Sequence, residues 1–445
     1  MSVLTREQMQ ALGERIVGLS RAERVQVNLN SNDTGNTRFA ANQMSTSGSV
    51  SNTGVGIQSW YGARHAVVTT NNLADDALEA AVRRSEQLAQ LAPEDPEDMP
   101  LLGPQQYATV NSYVEATATL DPAARARAAM TALDVTRKSG DLEAAGFIVT
   151  GAAATGIANS AGLFAYHRNT FANYTLTVRT RDGTGSGWAG ADDPDWTKLS
   201  FEQVSERAIG KARRSANPRA IEPGRYTVIL EPQAVGDLVQ LVAFAAQARA
   251  ADEGRSPFVK EGGGNTIGEK ILDERVTIVS DPTDPQLRAQ PFDGEGFPLN
   301  RQVWIENGVL KQLIYSRFWA QKQGKEPTGG PSSIKMMGGT TPVDDLIRGT
   351  ERGILVTRLW YLRQVDPRTI LYTGLTRDGT FLIENGEVGQ SLMNFRFNES
   401  PLFMLNNLEA VGPAVRLAGT EAGGNIVMPA LKVRDFNFTS LSEAV

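Results

Sequence analysis

Two Asn-Gly dipeptides, Asn307-Gly308 in VWIENGVLKQLI and Asn385-Gly386 in FLIENGEVGQSL, place the tightest constraint on the fold. Each interrupts an apolar-rich run. Asn-Gly supplies the positive φ angles of a type I′ turn, whose twist matches that of two paired strands. Both segments are therefore expected to be antiparallel hairpins. Around them the pattern predicts one strand over 226–230, one long helix over 232–252, and β structure for most of the remainder.

The front half alternates helices and strands. A helix is expected over 5–17, a strand over 25–30, and a polar Asn/Asp/Gly loop after it. Strand-rich sequence then carries Arg38-Phe39-Ala40 and continues to Val68. Leu78, Val82, Leu88 and Leu91 recur at helical spacing within 72–91. APEDPEDMPLLGP is a surface connection. Asp121-Pro122 opens a helix with an N-cap and a first-turn proline, and Gly140 closes it. Strands are expected to flank the Gly/Ala-rich stretch 146–166, the second over 174–179. Ser200 with Gln203 caps a helix over 201–214. Proline and glycine then punctuate SANPRAIEPGR, the expected boundary.

The fold class is therefore α+β: an amino-terminal α/β-mixed domain over 1–220 and a β-rich carboxy-terminal domain over 221–445 with the long helix. Ile-Glu-Asn-Gly and Thr-Arg-Asp-Gly-Thr each occur twice, the latter at Thr180 and Thr376. Recurrent turn chemistry accounts for both, and no solenoid-length repeat is present.

Composition removes whole classes of chemistry. Among 445 residues there is no cysteine and there are only 2 histidines. Disulfides, Cys-ligated zinc, iron–sulfur clusters and thiol catalysis are excluded together. A formal charge of -6 argues against a general nucleic-acid or anionic-membrane partner. The amino terminus lacks an apolar signal core, and 146–166 is broken by Thr150, Thr155, Asn159, Ser160 and its glycines, so strands and turns suit it better than a spanning helix. A cytoplasmic location is the expectation.

No local motif stands out as an active site. His65 and His167 lie about a hundred residues apart, neither in a ligand motif, and fit surface or hydrogen-bonded roles. Asp192-Asp193-Pro194-Asp195 lacks EF-hand spacing and is expected as a solvated turn. Ser160 lacks the preceding glycine of a nucleophile elbow. Gly262-Gly263-Gly264 is followed by Asn265, not by Lys-Ser/Thr, and Gly183, Gly185 and Gly187 do not open an apolar helix. Arg358 to Arg363 alternates as a half-buried strand.

A resemblance gives these absences meaning. VILEPQAVGDLVQLVAF after Thr227, DGEGFPLNRQVWIENGVLKQLIYSR (293–317) and GLTRDGTFLIENGEVGQSLMNFRFNES (374–400) resemble segments of the TldD/PmbA family of zinc-peptidase-related proteins. The third is similar to the PmbA (TldE) branch. TRFAANQM (37–44) is similar to the family's Thr-Arg-Phe-Ala-Asn-Asn signature, with Ala41 in place of the first Asn. The likeness spans roughly residues 20–435.

In catalytic members, His-Glu-Ala-Val-Gly-His supplies two zinc ligands and the general base, and a distant Cys supplies the third ligand. The resemblance lays that hexapeptide on Pro232-Gln233-Ala234-Val235-Gly236-Asp237, and the Cys on Ala418. Pro232 has no donor, Gln233 is a neutral amide, Asp237 is a lone carboxylate, and Ala418 cannot ligate. No residue is assigned a catalytic role.

The resemblance thus implies a non-catalytic PmbA/TldE-like subunit, itself without zinc, paired with a TldD-type zinc subunit that acts on unfolded proteins or peptides. Two alternatives stay open: a homodimeric peptide-binding or scaffold protein, and a hydrolase with an unrecognised site, for example carboxylates holding a hard metal. Sequence-tolerant peptide capture would suit an exposed sheet edge, whose position the sequence does not give.

Overall fold

The computed structural model describes residues 3–419, 421 and 425–442. Its first sheet is antiparallel, with strands β1 (Arg24–Ala40), β2 (Gln43–Tyr61), β3 (Arg64–Thr70), β4 (Leu142–Asn159), β5 (Phe164–Thr180) and β6 (Ser186–Asp193), in the order β3-β2-β1-β4-β5-β6. Along β4 the residues Ala144, Ile148, Ala152 and Ala154 are buried, and their even spacing puts them on one face.

Helices cover that face in two groups. At one end, α1 (Arg6–Leu19) and α2 (Asp75–Leu91) bury Met9, Ile16, Leu78 and Val82 against Val27, Leu29 and Ile57. A short turn of helix, α3 (Glu115–Ala118), follows. At the other end, α4 (Pro122–Lys138) and α5 (Phe201–Arg214) bury Ala129, Leu133, Val204 and Ala208 against Tyr174, Leu176 and Val178.

Several local expectations appear as drawn. Asp121 accepts from Ala123 N ahead of Pro122, and Ser200 accepts from Gln203 N. Others are corrected. The polar segment after Asn30 is no loop: Ser31 to Asn36 continue β1, paired with β2 on one side and β4 on the other. The Gly/Ala-rich stretch is not merely flanked by strands but is itself most of β4 and the start of β5. Glycine explains the closeness of that ladder. A Cβ on Gly151 would stand 2.3 Å from the Asp33 carbonyl oxygen.

The second sheet contains β7 (Arg225–Leu230), β8 (Ile278–Ser280), β9 (Gln302–Glu306), β10 (Val309–Leu310), β11 (Ile334–Met336), β12 (Arg352–Asp366), β13 (Leu371–Glu384), β14 (Glu387–Ser391), β15 (Phe395–Glu399), β16 (Leu408–Arg416) and β17 (Ile426–Leu441). Its main path runs β10-β9-β8-β11-β17-β15-β13-β12-β7, with β14 on β13 and β16 on β17. Both Asn-Gly hairpins form. Asn307 and Gly308 have φ of 49° and 77°, and Asn385 and Gly386 have 52° and 78°.

The helix expected over 232–252 is two helices, α6 (Pro232–Ala245) and α7 (Ala248–Asp252). The break has a tertiary cause. Ile314 N donates to the Ala246 carbonyl and Ala248 N donates to the Ile314 carbonyl, so that stretch pairs as a strand. The second Thr-Arg-Asp-Gly-Thr is also not a turn. It lies inside β13, with Asp378 at φ 54° and Gly379 at φ 124°.

Candidate functional site

Glu231, with an extended φ of −64° and ψ of 158°, caps α6, and Pro232 occupies the first turn, where a missing N–H costs little. Ala234, Val235, Leu238, Val239 and Val242 are all buried, so the helix is apolar nearly all round and sits inside the second core. Lys211 of α5 pairs with the Glu231 carboxylate at 2.6 Å, tying this helix start to the first sheet's layer.

Three polar side chains enter that apolar surrounding. Gln233, Asp237 and Gln240 are 5 %, 0 % and 8 % exposed. Gln233 Nε2 donates to Asp237 Oδ1 at 3.3 Å, and the Leu359 backbone N–H of β12 donates to Asp237 Oδ2 at 3.1 Å. Gln240 Nε2 donates to the Glu421 carbonyl at 3.1 Å, which brings the segment bearing Ala418 against the same helix. Of that segment, residues 420 and 422–424 lie outside the described residues.

Ala418 is buried, and a Cβ on Gly190 of β6 would come within 2.6 Å of its Cβ. The neighbouring Arg416 holds Asp192 through Nε at 2.5 Å, while Asn173 Nδ2 donates to the other carboxylate oxygen at 3.0 Å. Asp192 is therefore not part of a solvated turn. It sits one residue before the end of β6, in a nearly buried ion pair joining the two sheets. Ala418 thus packs on the first sheet's edge strand, while Pro232, Gln233 and Asp237 lie at the start of the helix within the second core.

These residues do not fit zinc. A zinc site needs at least three protein donors of N, O or S type. Pro232 and Ala418 offer none, Gln233 offers a neutral amide, and both oxygens of Asp237 already accept hydrogen bonds within the fold. Among the described residues no group of three or more His, Cys, Asp or Glu side chains is placed to hold a metal ion.

The two histidines stand elsewhere. His65 on β3 bonds the Asp95 carboxylate through Nε2 at 3.0 Å and Gln58 through Nδ1 at 3.1 Å, in a cleft of about 340 Å³ that Arg317 also lines. The His65 bond holds Asp95 below the usual carboxylate range. His167 on β5 is buried beside Ser112 Oγ, 3.2 Å from Nε2, and burial pushes its imidazole down to about 4. Both are hydrogen-bonded, as their lack of a ligand motif implies.

One buried cluster escaped the sequence. Arg358 of β12 donates through Nε to Asp378 Oδ2 at 2.8 Å, and Ser186 Oγ of the first sheet donates to Asp378 Oδ1 at 2.5 Å. The guanidinium also lies 5.3 Å from the Trp188 ring. Asp-Gly in a strand-like run was the available signal, since positive φ inside a strand marks a bulge.

Comparison with known proteins agrees with this architecture. Residues 25–89, 112–216 and 223–440 match models of PmbA/TldA metallopeptidase domain 1, central domain and C-terminal domain respectively. A metalloprotease of Methanothermobacter thermautotrophicus is 30% identical over 235 residues, 49% of each chain. Metalloprotease PmbA of Escherichia coli O157:H7 is 23% identical over 270 residues, 58% of this chain and 54% of its own. The aligned segments thus span about half the length of the curated relatives. The crystal structure of TldE from Thermococcus kodakarensis superposes with a TM-score of 0.84 at 20% identity, covering 97% of this chain and 99% of that one.

Proposed function

The chain belongs to the PmbA/TldD metallopeptidase family, and on that premise we propose that it is the non-catalytic, TldE-like member of a two-subunit peptidase. Its partner is a TldD-type subunit that carries the zinc, and its substrates are unfolded proteins or peptides in the cytoplasm. The observation that carries this reading is the state of Asp237. The one carboxylate at the motif positions has Gln233 and the Leu359 N–H as its hydrogen-bond donors, and the other positions offer no ligand or base.

Peptide capture has a surface suited to it. β2 is paired with β1 along its whole length, but β3 covers only Val55 to Tyr61. From Gln43 to Asn52 the strand is exposed, and this stretch contains no Lys, Arg, Asp, Glu or Pro. Edges normally carry such residues to block strand addition. An uncharged edge, mostly Ser, Thr, Asn and Gly with Gln43, Met44 and Val50, presents main-chain groups to an extended peptide with little selection of its side chains.

The test is reconstitution. The chain is mixed with a TldD-type subunit from the same source, the mixture is sized, and cleavage of an unfolded polypeptide is followed. A mixed dimer with cleavage dependent on both subunits is expected. A stable homodimer that ignores the zinc subunit would favour the scaffold alternative instead.

A further inference from the structure

Between the two helix groups on the first sheet lies a cavity of about 430 Å³, within the range of about 300–1,000 Å³ usual for small-ligand sites. Arg125, in the first turns of α4, forms part of its wall and is only 3 % exposed. The guanidinium packs against Gly35 of β1, where a Cβ would come within 2.3 Å of its carbon, so glycine is what admits it.

Its hydrogen bonding is thin for a buried cation. Nη1 donates to Thr150 Oγ1 at 3.1 Å and Nη2 to Ser49 Oγ at 3.5 Å. Nε has no acceptor among the described residues, and Asp121 and Asp33 favour the charged guanidinium only through space, an attraction outweighed by its burial. A buried guanidinium whose direct hydrogen bonds go only to two hydroxyls is costly unless an anion completes them. The planar fork of arginine suits a carboxylate in two-point contact.

The rest of the wall selects among anions. Asp33 and Glu115 also line the cavity, with Tyr113 and Thr117. An acidic lining disfavours a polyanion such as phosphate and favours a ligand that brings its own ammonium group to Glu115. From this arrangement we propose that the cavity binds a small zwitterion, an amino acid or dipeptide, with its carboxylate on Arg125 and its ammonium group towards Glu115. This site is separate from the motif positions on α6 and does not rest on the subunit reading.

Isothermal titration of the full chain with Ala-Ala, Ala-Ala amide, N-acetyl-Ala-Ala and inorganic phosphate tests it. Ala-Ala is expected to bind once per chain, with affinity about tenfold or more lower when either end is blocked, as for loss of one charged hydrogen bond. Arg125→Met abolishes the preference for a free carboxylate. Glu115→Gln, at an exposed wall position, keeps the carboxylate preference and weakens the preference for a free amine. Absence of Ala-Ala binding at millimolar concentration, equal binding of the amide, or tighter binding of phosphate would each overturn the proposal, whatever the fate of the Arg125 variant.

Discussion

Gln233 and Asp237 face each other one turn apart on α6, with the Gln233 amide donating to the Asp237 carboxylate at 3.3 Å. In the aligned metal motif these positions would hold the base and a ligand. Here they form a buried pair that links α6 to β12 through the Leu359 N–H.

That pair predicts a structural rather than a catalytic phenotype. Asp237→Leu leaves the Leu359 N–H and the Gln233 amide without their carboxylate acceptor in a buried position. The variant is expected to lose about 1–3 kcal/mol in urea unfolding, the usual cost of an unsatisfied buried group. Its stability should be insensitive to added zinc or chelator.

Arg358 and Asp378 supply a second test. Asp378→Asn leaves the guanidinium in a buried position without its charge partner, and about 3 kcal/mol of destabilisation is expected from breaking such a pair. Arg358→Met combined with Asp378→Asn should recover part of that loss in a double-mutant cycle. Strictly additive losses would show that the two side chains act independently.

The pH dependence contains two opposed contributions. His167 is held down to about 4 from 6.5, so its contribution to stability is complete above pH 6.5 and is lost as pH falls towards 4. Glu399 is pushed up to about 7 from 4.5 by burial, against backbone N–H bonds from Ser400 and Asn437. Its contribution is complete below pH 4.5 and is lost as pH rises through 7. Each amounts to about 3 kcal/mol, and they offset one another between their windows. His167→Asn should therefore gain stability as pH falls from 7 to 4.5. Glu399→Gln should lose stability as pH falls from 6.5 to 4. Equal profiles for both variants would refute the assignment.

The β2 edge predicts a binding defect without a folding defect. Met44→Lys with Val50→Lys places charge at exposed positions on an otherwise uncharged edge. Stability should change by no more than about 0.5 kcal/mol. Affinity of the two-subunit assembly for an unfolded peptide should drop about tenfold, measured by fluorescence anisotropy. Unchanged affinity would move peptide capture to another surface.

What could be read from the sequence was what is decided locally. Asn307-Gly308 and Asn385-Gly386 impose their own φ values, and Asp121 and Ser200 cap helices through bonds to residues two or three positions away. Ser31 to Asn36 form a strand because two neighbouring strands pair with them, a non-local influence that overrides a turn-rich composition. The α6–α7 break depends on Ile314, and the ion pair at Asp378 depends on Arg358 and on Ser186 of the other sheet. At the candidate site, the residue types at 232, 233, 237 and 418 were legible through family resemblance. The partners of Asp237 were not, because Leu359 lies far away in sequence.

The central claim is that this chain supplies no zinc chemistry of its own. Metal content of the purified chain, with cleavage of an unfolded polypeptide measured on the same sample, tests it most directly. No stoichiometric zinc and no cleavage are expected until a TldD-type subunit is added. One zinc per chain, with chelator-sensitive cleavage by the chain alone, would contradict it.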